Sequence, residues 1–243
     1  MKLKNYYKYE DQECEVIINK NHDAYYKDKN TNKYYYKKNV EFKGQQMDIR
    51  LLDFIYPIFI VVAVIGYVFF CYKYFWEYDV IDVPKYKMAI ESTLFMIFNL
   101  VLHEIGHILT LKMYGRELGK IRFRMNFIFP TISVDTSDSY ILPKFRRLYV
   151  YASGLIVNSF ILMLLVVFFE RYIYIGSFVV IAVLMNFLPI GVVRTDGYHI
   201  WINLILNRND YKKRKSLWFL LSQLVFVLLI AIMGVFTLMR IIV

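Results

Sequence analysis

The sequence predicts an all-α polytopic membrane protein of about five transmembrane helices. It adds a short β-hairpin-like segment at a cytoplasmic N-terminus and a β-like membrane-surface hairpin after the second helix. Three observations lead there. Hydrophobic residues make up 58% of the 243, and the mean hydropathy is +0.39. Five stretches are apolar enough to cross a hydrocarbon core, which takes roughly 20 residues for about 30 Å. Lys and Arg fall unevenly between the alternate ends of those stretches, with 11 in the N-terminal segment, 8 in the 112–147 loop and 6 in the 194–215 loop, against 5 at the opposite ends. Buried helices of a soluble core are excluded, because several runs carry no charge over 19 residues or more, beyond what a globular core requires.

Two regions follow, a polar cytoplasmic segment over 1–50 and a membrane-embedded domain over 51–243. The first fifty residues lack the apolar stretch of a signal peptide, so no cleaved signal is expected and the first span, about 54–72, serves as anchor. Within the segment, Ala24, Tyr25 and Tyr26 and the run Lys33 to Tyr36 flank a turn-rich stretch from Lys27 to Asn32, and β-favouring Tyr around an Asp/Asn-rich turn reads as a hairpin. It is either a solvated cap or a peptide-docking module whose edge strand pairs with a substrate. His22 is expected to be exposed.

The second span, about 89–111, is the one with ionisable groups in its interior: His103, Glu104 and His107. In the following loop Ile121, Phe123, Met125, Phe127 and Phe129 alternate with Arg122, Arg124 and Asn126, a period-2 strand pattern suited to the headgroup level. That strand either covers the entrance to the interior groups or clamps an extended peptide. Asp135 and Asp138 stand in a turn-like run, Ser133 to Ser139, and are expected to be solvated. Spans three and four cover about 148–169 and 172–193, the latter broken by Pro189 and Gly191, and span five covers about 217–239. The basic bias, including Lys212, Lys213, Arg214 and Lys215, makes the N-terminus cytoplasmic and the C-terminus external in a cell membrane. It also accounts for the net charge of +10 through anchoring and anionic lipid; no nucleic-acid module is visible. Cys14 and Cys71 fall on opposite sides of the membrane, so no disulfide is expected between them.

The chemistry concentrates in His103-Glu104-Ile105-Gly106-His107, an H-E-x-x-H motif. On a helix, residues four apart lie about 6 Å apart along the axis on one face, so both histidines can face a single metal. The motif's usual chemistry is two His on zinc with the Glu as general base toward an activated water. A catalytic zinc takes three protein ligands, and the predicted topology brings Asp196 to the depth of the histidines. A carboxylate there also reduces the charge to be buried. His199, three residues on, is the rival third ligand. Asn186 and Asn158 are candidate substrate or oxyanion donors, although an Asn inside a span also serves simply to bond a neighbouring helix.

With Asn186-x-x-Pro189 and Asp196-Gly197 on a later span, and the small-residue run Ala152 to Asn158 between, the motif resembles the site-2 protease family of intramembrane zinc metallopeptidases over roughly residues 89–203. The layout is most similar to the small bacterial peptide zinc metallopeptidases associated with modified-peptide maturation. The resemblance implies His103, His107 and Asp196 on one zinc per chain and a catalytic Glu104. The sequence departs from the family pattern at Gly154-Leu155 and at Arg194-Thr195. Two function classes remain. One is a zinc-dependent peptidase, maturing a small bacteriocin-like or modified peptide or clipping a membrane-tethered regulator. The other is a non-catalytic immunity or export protein of the membrane. The complete set of four residues favours the enzyme, and the lack of a segment long enough for a sensor domain favours maturation. Oligomeric state and substrate identity have no sequence signal.

Overall fold

The computed structural model describes residues 6–19, 21–41, 44–74, 83–126, 129–187 and 195–205, with scattered positions from 220 onward. The N-terminal segment is more than a hairpin. Five strands, β1 (Tyr6–Glu10), β2 (Cys14–Asn19), β3 (Ala24–Asp28), β4 (Lys33–Lys37) and β5 (Gln45–Gln46), form an antiparallel sheet in the order β4-β3-β2-β1-β5. The predicted hairpin is its β3–β4 pair. The turns are built by acidic and amide side chains folding back on the chain: Asp11 accepts the Glu13 and Cys14 amides, and Asp28 accepts those of Asn30 and Thr31.

Alternation gives the sheet two faces. Val16, Ile18 and Ala24 form a small core with Tyr9, Tyr26 and Val40 on one. The other turns to the helical domain and is tied to it by charge. Arg116 donates to both oxygens of Glu15 at 2.6 Å, and Lys27 pairs with Asp138 at 2.7 Å. The Tyr34 hydroxyl donates to the same Asp138 at 2.9 Å, and the Arg147 guanidinium lies 5.0 Å from the Tyr25 ring centre. Asp138, expected to be solvated, is therefore buried. Two of its partners, Lys27 of β3 and Tyr34 of β4, come from strands more than a hundred residues earlier, which no local pattern announces.

Among the described residues, three helices are long and apolar enough to cross a membrane: α1 (Leu52–Tyr72), α2 (Lys85–Met113) and α3 (Lys144–Phe168). They match the first three expected spans. The most buried is α3, which packs against both others. Two kinds of contact hold the trio. Small residues let backbones approach, as where Gly106 of α2 meets the Ser153 carbonyl. Polar groups also pair across helices, with Arg146 holding buried Asp53 at 2.7 and 3.0 Å and the Tyr56 hydroxyl bonded to Thr110.

Between α2 and α3, β6 (Ile121–Asn126) and β7 (Phe129–Val134) form an antiparallel pair; the alternating pattern matches β6, while Phe129 falls on the partner strand and Phe127 lies outside the described residues. Ile121 and Phe123 are exposed on it, the latter at 79%, which suits a surface facing headgroups. The fourth stretch differs from a continuous span: a 3-10 turn over Glu170–Gly176 leads into the 11-residue helix α4 (Ser177–Phe187), and α5 (Asp196–Ile205) follows. Burial of Ile173 and Gly176 against Phe70 and Leu162 anchors that turn. Pro189, Gly191 and the basic run Lys212 to Lys215 lie outside the described residues, as does most of the fifth stretch.

Candidate metal centre

Helix α2 sets His103 and His107 on its α3-facing side, both buried. The orientation of His107 comes from α3. Its Nδ1 lies 2.7 Å from the Val150 carbonyl, and since a carbonyl only accepts, Nδ1 carries a proton and Nε2 is the ring atom turned toward the cluster. His103 is held differently. Its Nδ1 has no partner among the described residues, but a Cβ on Gly154 would stand 2.5 Å from its ring, so the bare glycine backbone forms the wall against which the imidazole rests.

Asp196, the first residue of α5, completes the cluster. Its Oδ2 is 2.9 Å from Nε2 of His103 and 3.1 Å from Nε2 of His107, and the two nitrogens are 3.2 Å apart. Among the described residues these three form the metal-capable group. Converging electron pairs at that spacing repel unless protons or a cation lie between them. Zinc with bonds of about 2.0–2.1 Å in a tetrahedron sets its ligand atoms roughly 3.3 Å apart. The donors thus fit the ion in kind and in spacing.

Asn186 enters the site as well. Its Nδ2 donates to Asp196 Oδ2 at 3.0 Å, its Oδ1 accepts the Asp196 amide at 3.1 Å, and Nδ2 lies 3.3 Å from His103 Nε2. Both ends of its amide are on Asp196, which it holds in place. Asn158 does not touch the donor set; it is buried in α3 one turn beyond Gly154, with its Oδ1 unpartnered among the described residues. The His199 ring is stacked on Tyr151, centroids 4.6 Å apart and 15° between planes, and is outside the donor group.

Glu104 flanks the cluster without belonging to it, as the motif predicts. Its Oε2 accepts the backbone N–H of Val134, at the end of β7, at 2.9 Å, so the hairpin grips the carboxylate. Sequence reasoning missed this contact and the role of the Val150 carbonyl. Backbone groups leave no side-chain signature, and only the small-residue run around Gly154 hinted at a close approach.

Over 139 residues, 54% of this chain, the sequence is 30% identical to the Bacillus subtilis (strain 168) protein named "Putative peptide zinc metalloprotease protein YydH". The chain spans about half of that relative's length, 54%. No family model matches, and no solved structure does. A zinc protease is what this likeness supports, and the His103, His107 and Asp196 group is where its metal would sit.

Proposed function

We propose that this chain is a membrane-embedded zinc metallopeptidase of the site-2 protease type that hydrolyses peptide bonds in a small precursor peptide near the cytoplasmic side of the membrane. The observation that carries the reading is the convergence of His103, His107 and Asp196 beside a carboxylate, Glu104, that is not one of the three donors. The name of the Bacillus relative, a peptide zinc metalloprotease, supports it. The distribution of Lys and Arg supports a cytoplasmic N-terminus, which sets the N-terminal sheet on the side where a precursor would arrive.

His103, His107 and Asp196 would hold the zinc. When bound, the ion supplies Lewis acidity that activates water and polarises the scissile carbonyl. Glu104 takes the water's proton as the carbonyl is attacked and returns it to the leaving amine. The Val134 amide keeps one carboxylate oxygen occupied and leaves the other to move that proton. Asn186 holds Asp196 in place, and the Val150 carbonyl holds His107 in the tautomer that presents Nε2. A peptide bond inside a helix is shielded by its own hydrogen bonds, so the substrate must be extended before attack. The edge of the β6–β7 hairpin beside Glu104, which pairs with no further strand among the described residues, is suited to hold it by strand addition.

The test is the zinc content of detergent-purified protein. About one zinc per chain is expected in wild type, Glu104→Gln and His199→Ala, with loss in His103→Ala and Asp196→Ala. Glu104→Gln should bind a precursor peptide without cleaving it. No zinc in well-folded, zinc-supplemented wild type overturns the reading, and loss in His199→Ala with retention in Asp196→Ala overturns the third ligand.

A further inference from the structure

Two buried amides on the seam between α2 and α3 have no role in the metal centre. Asn99 is 3% exposed and Asn158 is 5% exposed, and the Nδ2 of the first and the Oδ1 of the second have no partner among the described residues. The helices run antiparallel along this seam, since His103 meets Gly154 while His107, four residues on, meets Val150, four residues back. One turn further in the same register sets Asn99 level with Asn158. The pair therefore sits about 6 Å along the helix axes from the donor cluster, away from the N-terminal sheet and toward the middle of the bilayer. An unmatched donor and an unmatched acceptor are costly in an apolar interior, and Gln- and Asn-type amides used merely as helix glue bond across the interface, which these two atoms do not.

One donor plus one acceptor is what an extended backbone requires, since each residue offers a carbonyl and an N–H. We propose that Asn99 and Asn158 form a binding subsite for the unwound backbone of the substrate on the bilayer side of the scissile bond, Asn99 donating to a carbonyl and Asn158 accepting an N–H. This rests on the peptidase reading above and concerns how its substrate is held, by main chain, beside the scissile bond. The subsite recognises main chain, so it tolerates varied side chains.

The experiment compares two zinc-seeking probes on zinc-loaded, full-length protein in detergent. Acetohydroxamate carries the chelating head alone, and a leucine-rich peptidyl hydroxamate adds an extended backbone. Wild type is expected to bind the peptidyl probe far more tightly than the small one. Asn99→Leu and Asn158→Leu should each keep zinc and the acetohydroxamate affinity while weakening the peptidyl probe roughly three- to tenfold, as expected for one lost hydrogen bond. Unchanged peptidyl affinity in both variants, with or without a shift in melting temperature, means the amides are packing or water-bound groups and overturns the proposal while the peptidase reading stands. Failure of wild type to bind zinc or either hydroxamate overturns the peptidase reading itself. Should the Leu variants not fold, Asn99→Ser and Asn158→Ser, which shorten the reach of the polar atoms, must show the same selective loss.

Discussion

Replacing Gly154 with Ala puts a methyl group 2.5 Å from Cε1 and Nε2 of His103 and 2.7 Å from Cδ2. Carbon atoms in comfortable contact stand about 3.5–4.0 Å apart, so the imidazole must retreat by roughly 1 Å or α2 and α3 must part. Metal ligands tolerate displacements of about 0.2 Å. The ring has no hydrogen bond at Nδ1 among the described residues to draw it back. Losing the support of a ligand typically weakens metal binding 10- to 100-fold, about 1.4–2.7 kcal/mol. The assay is zinc competition against a chelator in detergent, with Gly106→Ala and Gly66→Ala alongside. A Cβ on Gly106 meets the Ser153 carbonyl oxygen and Val157 at 3.0 Å, whereas one on Gly66 meets the flexible Met163 side chain at 3.3 Å. The expected loss is largest for Gly154, smaller for Gly106 and negligible for Gly66. Equal zinc affinity in Gly154→Ala and Gly66→Ala, at matching melting temperatures, would refute the view that the bare backbone positions His103.

Three further outcomes follow from the geometry. Asn186→Leu frees both ends of Asp196 and should lower zinc affinity by about 10- to 100-fold; an unchanged titration counts against the positioning role. Asp53→Asn leaves buried Arg146 without its counter-charge, a change that typically costs about 3–5 kcal/mol, visible as a lowered thermal midpoint while zinc stoichiometry in the remaining folded protein is unchanged. The sheet should loosen in acid. Burial opposes ionisation of Asp138 and Glu15, yet Lys27 and Tyr34 beside the first and Arg116 and Lys8 beside the second hold both carboxyls below their ordinary range. Glu10 is drawn down to about 2 by Lys8 and Lys29. Depressed folded values mean stability that is full above the unfolded values near 4 and lost as pH falls through the folded ones. Protection factors for the β2 and β3 amides should therefore fall below about pH 4 in wild type, and they should be low and flatter with pH in the Asp138→Asn, Glu15→Gln double variant. A wild-type profile flat down to pH 2 would show that these pairs do not dock the sheet.

The sequence by itself determined the three long apolar helices and the strand that begins at Ile121. These are set by composition and by short periods, 3.6 and 2, that one segment carries alone. It also determined His103, Glu104 and His107 as a unit, because their geometry is fixed by a single helical turn. Tertiary structure decided the rest. Asp196 and Asn186 become partners only once α4 and α5 bring residues ten apart together. The β7 amide on Glu104 and the Val150 carbonyl on His107 are backbone groups with no residue-type signature. Strand β2 carries Glu15, which reads as surface until Arg116 is seen against it. Burial and pairing across long sequence separation are properties of the packed chain, and no local pattern encodes which distant group will arrive.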